Sequence, residues 1–176
     1  MKVSQLLIFL QLLFLNYHSR TQQFVYIPPN DLLFPALDQH SDVLEGESKP
    51  PLVVTGGVGT GKSALLANWI EKRKEHLHKG EFLFQHFVGC SGRSSELAYT
   101  LSRLEKSLKE HYQLREMEIP DTEERLRWGL TRFLAAAAKK YSNSRIVIVI
   151  DGVNKMQSES AQVRFIIKLV IQYLII

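Results

Sequence analysis

Residues 56–63, GGVGTGKS, constrain this chain more than any other stretch. Gly56, Gly61, Lys62 and Ser63 meet the pattern G-x-x-x-x-G-K-[ST] without a mismatch, and Gly57 and Gly59 add two glycines around Val58 and Thr60. A loop that wraps a polyphosphate must turn successive backbone N–H groups inward. That needs positive φ angles and close backbone approach, which glycine allows at least cost. Lys62 then reaches β- and γ-phosphate oxygens, Ser63 offers its hydroxyl to Mg²⁺, and the N-terminus of the following helix adds partial positive charge. The rival reading is a glycine-rich turn with an incidental lysine. It accounts less well for an apolar run before the loop, PLVVT at 51–55, and a helical pattern directly after it.

Beyond the loop, strands and helices alternate. PLVVT reads as a short strand, and Ser63 to about Lys79 as a helix with Leu65, Leu66, Trp69, Ile70 and Leu77 on one face, stopped by Gly80. EFLFQHFVG (81–89) is aromatic enough to favour a strand. SSELAYTLSRLEKSLKEHY (94–112) places Leu97, Leu101, Leu104 and Leu108 at helical steps. IPDTEERLRWGLTRFLAAAAKKY (119–141) begins a further helix, with Asp121 as cap and Glu124 completing a capping box. RIVIVID (145–151) has an unbroken apolar run, Ile146 to Ile150, which implies burial on both faces of a parallel sheet. The expected fold class is therefore α/β: a P-loop NTPase core, a parallel sheet with helices on both faces.

The last strand ends in Asp151, a carboxylate at the carboxyl edge of the sheet. Downstream of a complete phosphate loop, it reads as the Walker B aspartate that holds Mg²⁺ opposite Ser63, against the alternative of a turn aspartate. Hydrolysis also needs a residue that orients or deprotonates water. After Asp151 the chain offers Asn154 and Lys155, and no acid until Glu159. An amide lacks useful basicity and a lysine is normally protonated, so binding is better supported than turnover. NKMQ also approaches the guanine-reading N-K-x-D, but Gln157 stands where a carboxylate is required.

Composition sets wider bounds. The 176 residues are 45% hydrophobic and 23% charged, enough for one domain with a core. The formal charge of +4 is mildly basic. The densest basic stretch, EKRKEHLHK (71–79), lacks interleaved aromatics and reads as a wet helix end, not a nucleic-acid patch. Arg125, Arg127 and Arg132 likewise read as a solvated helix face. The one cysteine, Cys90, rules out an intrachain disulfide and a Cys-rich zinc site, and fits a reducing compartment.

Four segments are expected: an apolar, signal-like stretch at 1–19, a lead-in at 20–50 containing a short helix NDLLFPALDQ, the NTPase core at 51–157, and an apolar segment at 158–176. In the first, Leu6 to Leu15 is broken only by Gln11, too short for a membrane span and without a small-x-small cleavage site. It reads as a secretory signal or as an apolar segment of an intracellular chain, and a site for abundant Mg-nucleotide favours the cytoplasm. At the other end, Arg164, Lys168 and Gln172 form one polar stripe on an otherwise apolar helix, or VRFII is a further strand. No integral membrane span is expected from either terminus, and the uncovered apolar surface suggests a fragment or shortened isoform.

PPLVVTGGVGTGKSALLANWIEK, FLFQHFVGCSGRSS and RIVIVIDGVN together resemble the NACHT-type P-loop NTPase module of the STAND class, in the branch whose members carry tetratricopeptide repeats. The resemblance covers about residues 24–157. It implies an ATP- and Mg²⁺-binding switch whose nucleotide state controls conformation and assembly, with protein partners held through repeats absent from this chain. It assigns Gly56, Gly59, Gly61, Lys62 and Ser63 to the phosphate loop and Asp151 to Mg²⁺. Many such modules have acids where this chain has Asn154 and Lys155. Three readings follow: a nucleotide-dependent switch or scaffold, an active NTPase or small-molecule kinase, and a shortened product without function.

Overall fold

The structure, a computed structural model, describes residues 33–42, 52–140 and 145–157. The readings of segments 1–19 and 158–176, and of most of the lead-in, lie outside these residues. The described part divides into two compact units, Leu33–Asp42 with Leu52–Leu77 in the first, and the residues from His78 onward in the second.

The first unit contains α1 (Leu33–Asp42) and α2 (Lys62–Glu75). Helix α1 overlaps the short helix expected at residues 30–39 and continues to Asp42; residues 30–32 lie outside the described ones. Leu37 is buried in it, and α2 buries Ala64, Leu65, Ala67, Trp69 and Ile70. Polar contacts fix the pair: Trp69 Nε1 donates to Asp38 Oδ1 at 2.8 Å, and Arg73 reaches Asp38 at 3.4 Å and Asp42 at 2.7 Å. Helix α2 ends at Glu75, short of the expected Lys79, and Leu77 is exposed.

One expectation is overturned. Residues 52–57 carry no strand, and Leu52 and Val53 are 46% and 70% exposed. A strand exists only where a neighbour completes its ladder of N–H and C=O groups. Among the described residues the sheet has two strands, and neither is this segment.

The second unit is built on β1 (Phe82–Phe87) and β2 (Ile146–Asp151), paired in parallel with Phe82 opposite Ile146 and Phe87 opposite Asp151. Between them run α3 (Leu97–His111) and α4 (Glu123–Lys140). Parallel strands need such a crossover, so the alternation in sequence becomes an α/β layer. Phe82 and Phe84 join Leu97, Leu101, Leu104, Leu108, Leu126, Leu130, Phe133 and Ile146 in one core. Ile146 and Val147 are buried while Ile148 to Ile150 are half-buried, so burial on both faces holds only at the start of β2.

The start of α4 also differs from expectation. Its first residue is Glu123, with Leu126 N–H bonded to Thr122 O at 2.9 Å, which moves the cap position from Asp121 to Thr122. Asp121 instead lies 3.7 Å from Arg125.

Candidate functional site

The glycine loop has the backbone geometry its composition demands. Gly59 and Gly61 take φ of 77° and 90°, a region that side chains with a Cβ avoid. Gly56 has a different reason to be glycine: a Cβ there would stand 3.0 Å from Thr60 Oγ1. Thr60 closes the turn on Gly57 O, through its hydroxyl at 2.9 Å and its N–H at 3.5 Å. Lys62 folds back over the loop, and Nζ donates to Gly56 O at 2.8 Å and Gly57 O at 2.7 Å. The loop thus holds its own ammonium group above a ring of backbone.

A phosphate fits this donor set. Gly61 occupies the cap position of α2 with no side-chain cap, so no side chain of the protein takes up the helix's first amides. Leu65 N–H is the first to turn back, onto Gly61 O at 2.8 Å. The N–H groups of Lys62, Ser63 and Ala64 precede it and have no intrahelical acceptor. Among the described residues, the Ser63 hydroxyl makes no hydrogen bond and remains available to a cation or a phosphate oxygen. The loop from Gly56 to Thr60 is exposed, Val58 completely.

In the second unit, Asp151 is half-buried at the carboxyl end of β2, and its carbonyl accepts the Val88 N–H at 2.9 Å. Among the described residues no hydrogen bond or ion pair engages its carboxylate. Gly152 follows with φ of 73° and turns the chain into the 3₁₀ turn Val153–Lys155. Gly89 and Gly152 both face the stem of Lys155; a Cβ on either would stand 3.7 Å or 3.6 Å from its Cδ. Asn154, Lys155 and Gln157 are exposed, and the Gln157 backbone N–H donates to Ser95 O at 2.8 Å.

The turn after β1 is held by a buried histidine that sequence reasoning did not single out. Arg103 Nη1 donates to His86 Nδ1 at 2.9 Å, which leaves Nε2 to carry the proton and donate to Ser94 O at 2.8 Å. Thr100 Oγ1 lies 3.0 Å from the same nitrogen. Burial, with the nearby Arg103 charge as a lesser cause, pulls the His86 pKa down, against the opposing effect of the Ser94 carbonyl. Ser94 in turn exchanges hydrogen bonds with Ser91, its Oγ donating at 2.8 Å and accepting at 2.9 Å.

A second unforeseen group is Glu105. It is fully buried on α3, neither oxygen has a hydrogen-bond partner, and desolvation raises its pKa to about 7. Its place four residues after Leu101 and three before Leu108 puts it on the apolar face, a signal readable from spacing alone.

The sequence model of the AAA ATPase domain family matches residues 33–175. The chain is 31% identical over 120 residues to nephrocystin-3 of Homo sapiens and 30% identical over 119 residues to that of Mus musculus. Each alignment covers 67% of this chain, which spans 9% of the length of these curated relatives. A TPR repeat-containing protein of Dictyostelium discoideum is 29% identical over 68 residues, 39% of this chain and 4% of its own length. No solved structure matches the chain. Among the described residues no helix is long and apolar enough to cross a membrane.

Proposed function

The chain belongs to the AAA ATPase domain family, and we propose that Gly56–Ser63 binds the phosphates of Mg-ATP in a module that acts as a conformational switch or scaffold with weak or no hydrolysis. The observation that carries this reading is the loop itself: two glycines at positive φ, an uncapped helix start and an ammonium group turned onto the loop. When bound, Mg²⁺ would neutralise charge at the phosphates; the Ser63 hydroxyl is the candidate ligand in the loop's own unit and the Asp151 carboxylate a candidate in the other. Both are hard oxygen donors, the chemistry Mg²⁺ prefers. Lys62 is the residue on which affinity rests.

The switch reading is favoured over an active NTPase because Asn154 and Lys155 occupy the stretch after Asp151 and neither can take a proton from water. Similarity to nephrocystin-3 and to a TPR repeat-containing protein supports a NACHT-like module that works through protein partners. A titration of Mg-ATP followed by a turnover assay tests the proposal. Wild type is expected to bind with turnover well below ordinary ATPase rates, and the double variant Asn154→Asp, Lys155→Glu to turn over faster. Turnover of wild type at ordinary ATPase rates removes the switch reading and leaves the enzyme one.

A further inference from the structure

Helix α4 buries Leu126, Leu130, Phe133, Leu134 and Ala137 and turns another side outward. Arg125, Trp128, Arg132, Ala135 and Lys139 are all exposed, Trp128 to 74%. Their spacing of three, four, three and four residues puts them in one stripe ~80° wide and about 21 Å long. That is the spacing with which two helices interlock along a seam. The stripe serves no packing inside the unit, since the buried residues of α4 lie off it. An exposed helix position is filled by a polar residue at no cost to the fold, so a tryptophan there points to a use outside it. Tryptophan and arginine are also the side chains on which association energy concentrates.

We propose that the outer face of α4 docks an acidic amphipathic helix of a partner protein. Charge selects the occupant, because the seam carries three cations and no acid. Arg125 meets Asp121 at 3.7 Å, but both side chains are exposed and such a pair exchanges at little cost. Among the described residues Arg132 and Lys139 make no ion pair. Ala135 keeps the stripe low two turns beyond Trp128, so a second helix can approach closely. Its carboxylates would meet Arg125, Arg132 and Lys139, and an apolar residue would cover the indole. Single-stranded nucleic acid, the other ligand of arginine and tryptophan, uses successive aromatic rings as a stacking platform. This stripe has one ring and the carboxylate of Glu124 at its border.

The experiment uses the whole chain and a helix-stabilised synthetic peptide with glutamates and leucines at alternating seam positions, the same peptide with lysine for glutamate, and an oligothymidine. Indole fluorescence reports on Trp128, because the chain's other tryptophan, Trp69, is buried. The acidic peptide is expected to bind saturably and to shift the emission. With binding followed by the fluorescence anisotropy of a labelled peptide, which does not need the indole, Trp128→Ala and Arg132→Glu each weaken it by about tenfold or more with unchanged melting temperature, and the lysine peptide recovers binding to the double variant Arg125→Glu, Arg132→Glu. The proposal is overturned if wild type ignores the acidic peptide, if the variants bind it equally well, or if the oligothymidine binds more tightly.

Discussion

Lys62 and Glu105 are opposite uses of a charged side chain. Lys62 lies over an open loop where an anion can replace the two carbonyls it now contacts. Glu105 is sealed between α3 and α4 with nothing to accept or give a proton. Its carboxyl titrates near 4.5 when exposed and at about 7 when folded. Between those values the folded state keeps a proton that the unfolded chain has lost, so stability falls as pH rises through that window and levels off above it. By linkage that difference is worth on the order of a few kcal/mol. His86 works in the other direction: with its pKa lowered from 6.5, it costs stability as pH falls below that value. Denaturant unfolding across pH 4.5 to 8 separates the two, since Glu105→Gln should abolish the decline toward high pH and leave only the histidine's rise. A Gln variant that still loses stability between pH 5 and 7 would assign the effect elsewhere.

At the scale of elements, the α3–α4 contact depends on Gly129, where a Cβ would stand 2.7 Å from Glu105 Oε1 and 3.3 Å from Pro120 Cγ. Helix propensity favours alanine there by about 1 kcal/mol, but the collision opposes it. Gly129→Ala is expected to destabilise by about 1–3 kcal/mol. Adding Glu105→Ala should reverse most of that loss in chemical denaturation. If Gly129→Ala alone is neutral, the carboxyl is not held where the packing puts it. The same elements show what the sequence made legible. Leucines at 97, 101, 104 and 108 defined the buried face of α3, and the β-branched run at 146–150 defined β2, because each spacing repeats the period of its own structure. The run at 52–55, LVVT, is also apolar and rich in β-branched residues yet forms no strand, because a ladder needs a partner and composition cannot name one. The α4 cap moved one residue because Asp121 and Thr122 are adjacent and both acceptable cap residues, which sequence does not rank. The left-handed turns at Gly59 and Gly61 were legible, since glycine identity and positive φ are linked, whereas Gly56 owes its identity to the nearby Thr60 hydroxyl. His86 was not, because its significance lies in Arg103 and Ser94, which fold to it from 17 and 8 residues away.

At the scale of the whole molecule, the proposed function has the folded chain taking up a nucleoside triphosphate through one loop. The loop and Asp151 belong to different compact units, so each ligand role has its own variant. If Asp151 holds Mg²⁺ as proposed, Asp151→Ala weakens nucleotide binding in the presence of Mg²⁺ far more than in its absence, and equal weakening in both conditions takes that proposed role away. The most direct test is thermal unfolding of wild type and Lys62→Ala, each with and without Mg-ATP. A ligand that binds only the folded state adds about 2.7 kcal/mol at a hundredfold excess over its dissociation constant. Wild type is expected to show a nucleotide-dependent rise in melting temperature and Lys62→Ala none; identical curves for the two proteins, with or without nucleotide, would rule out nucleotide uptake through this loop.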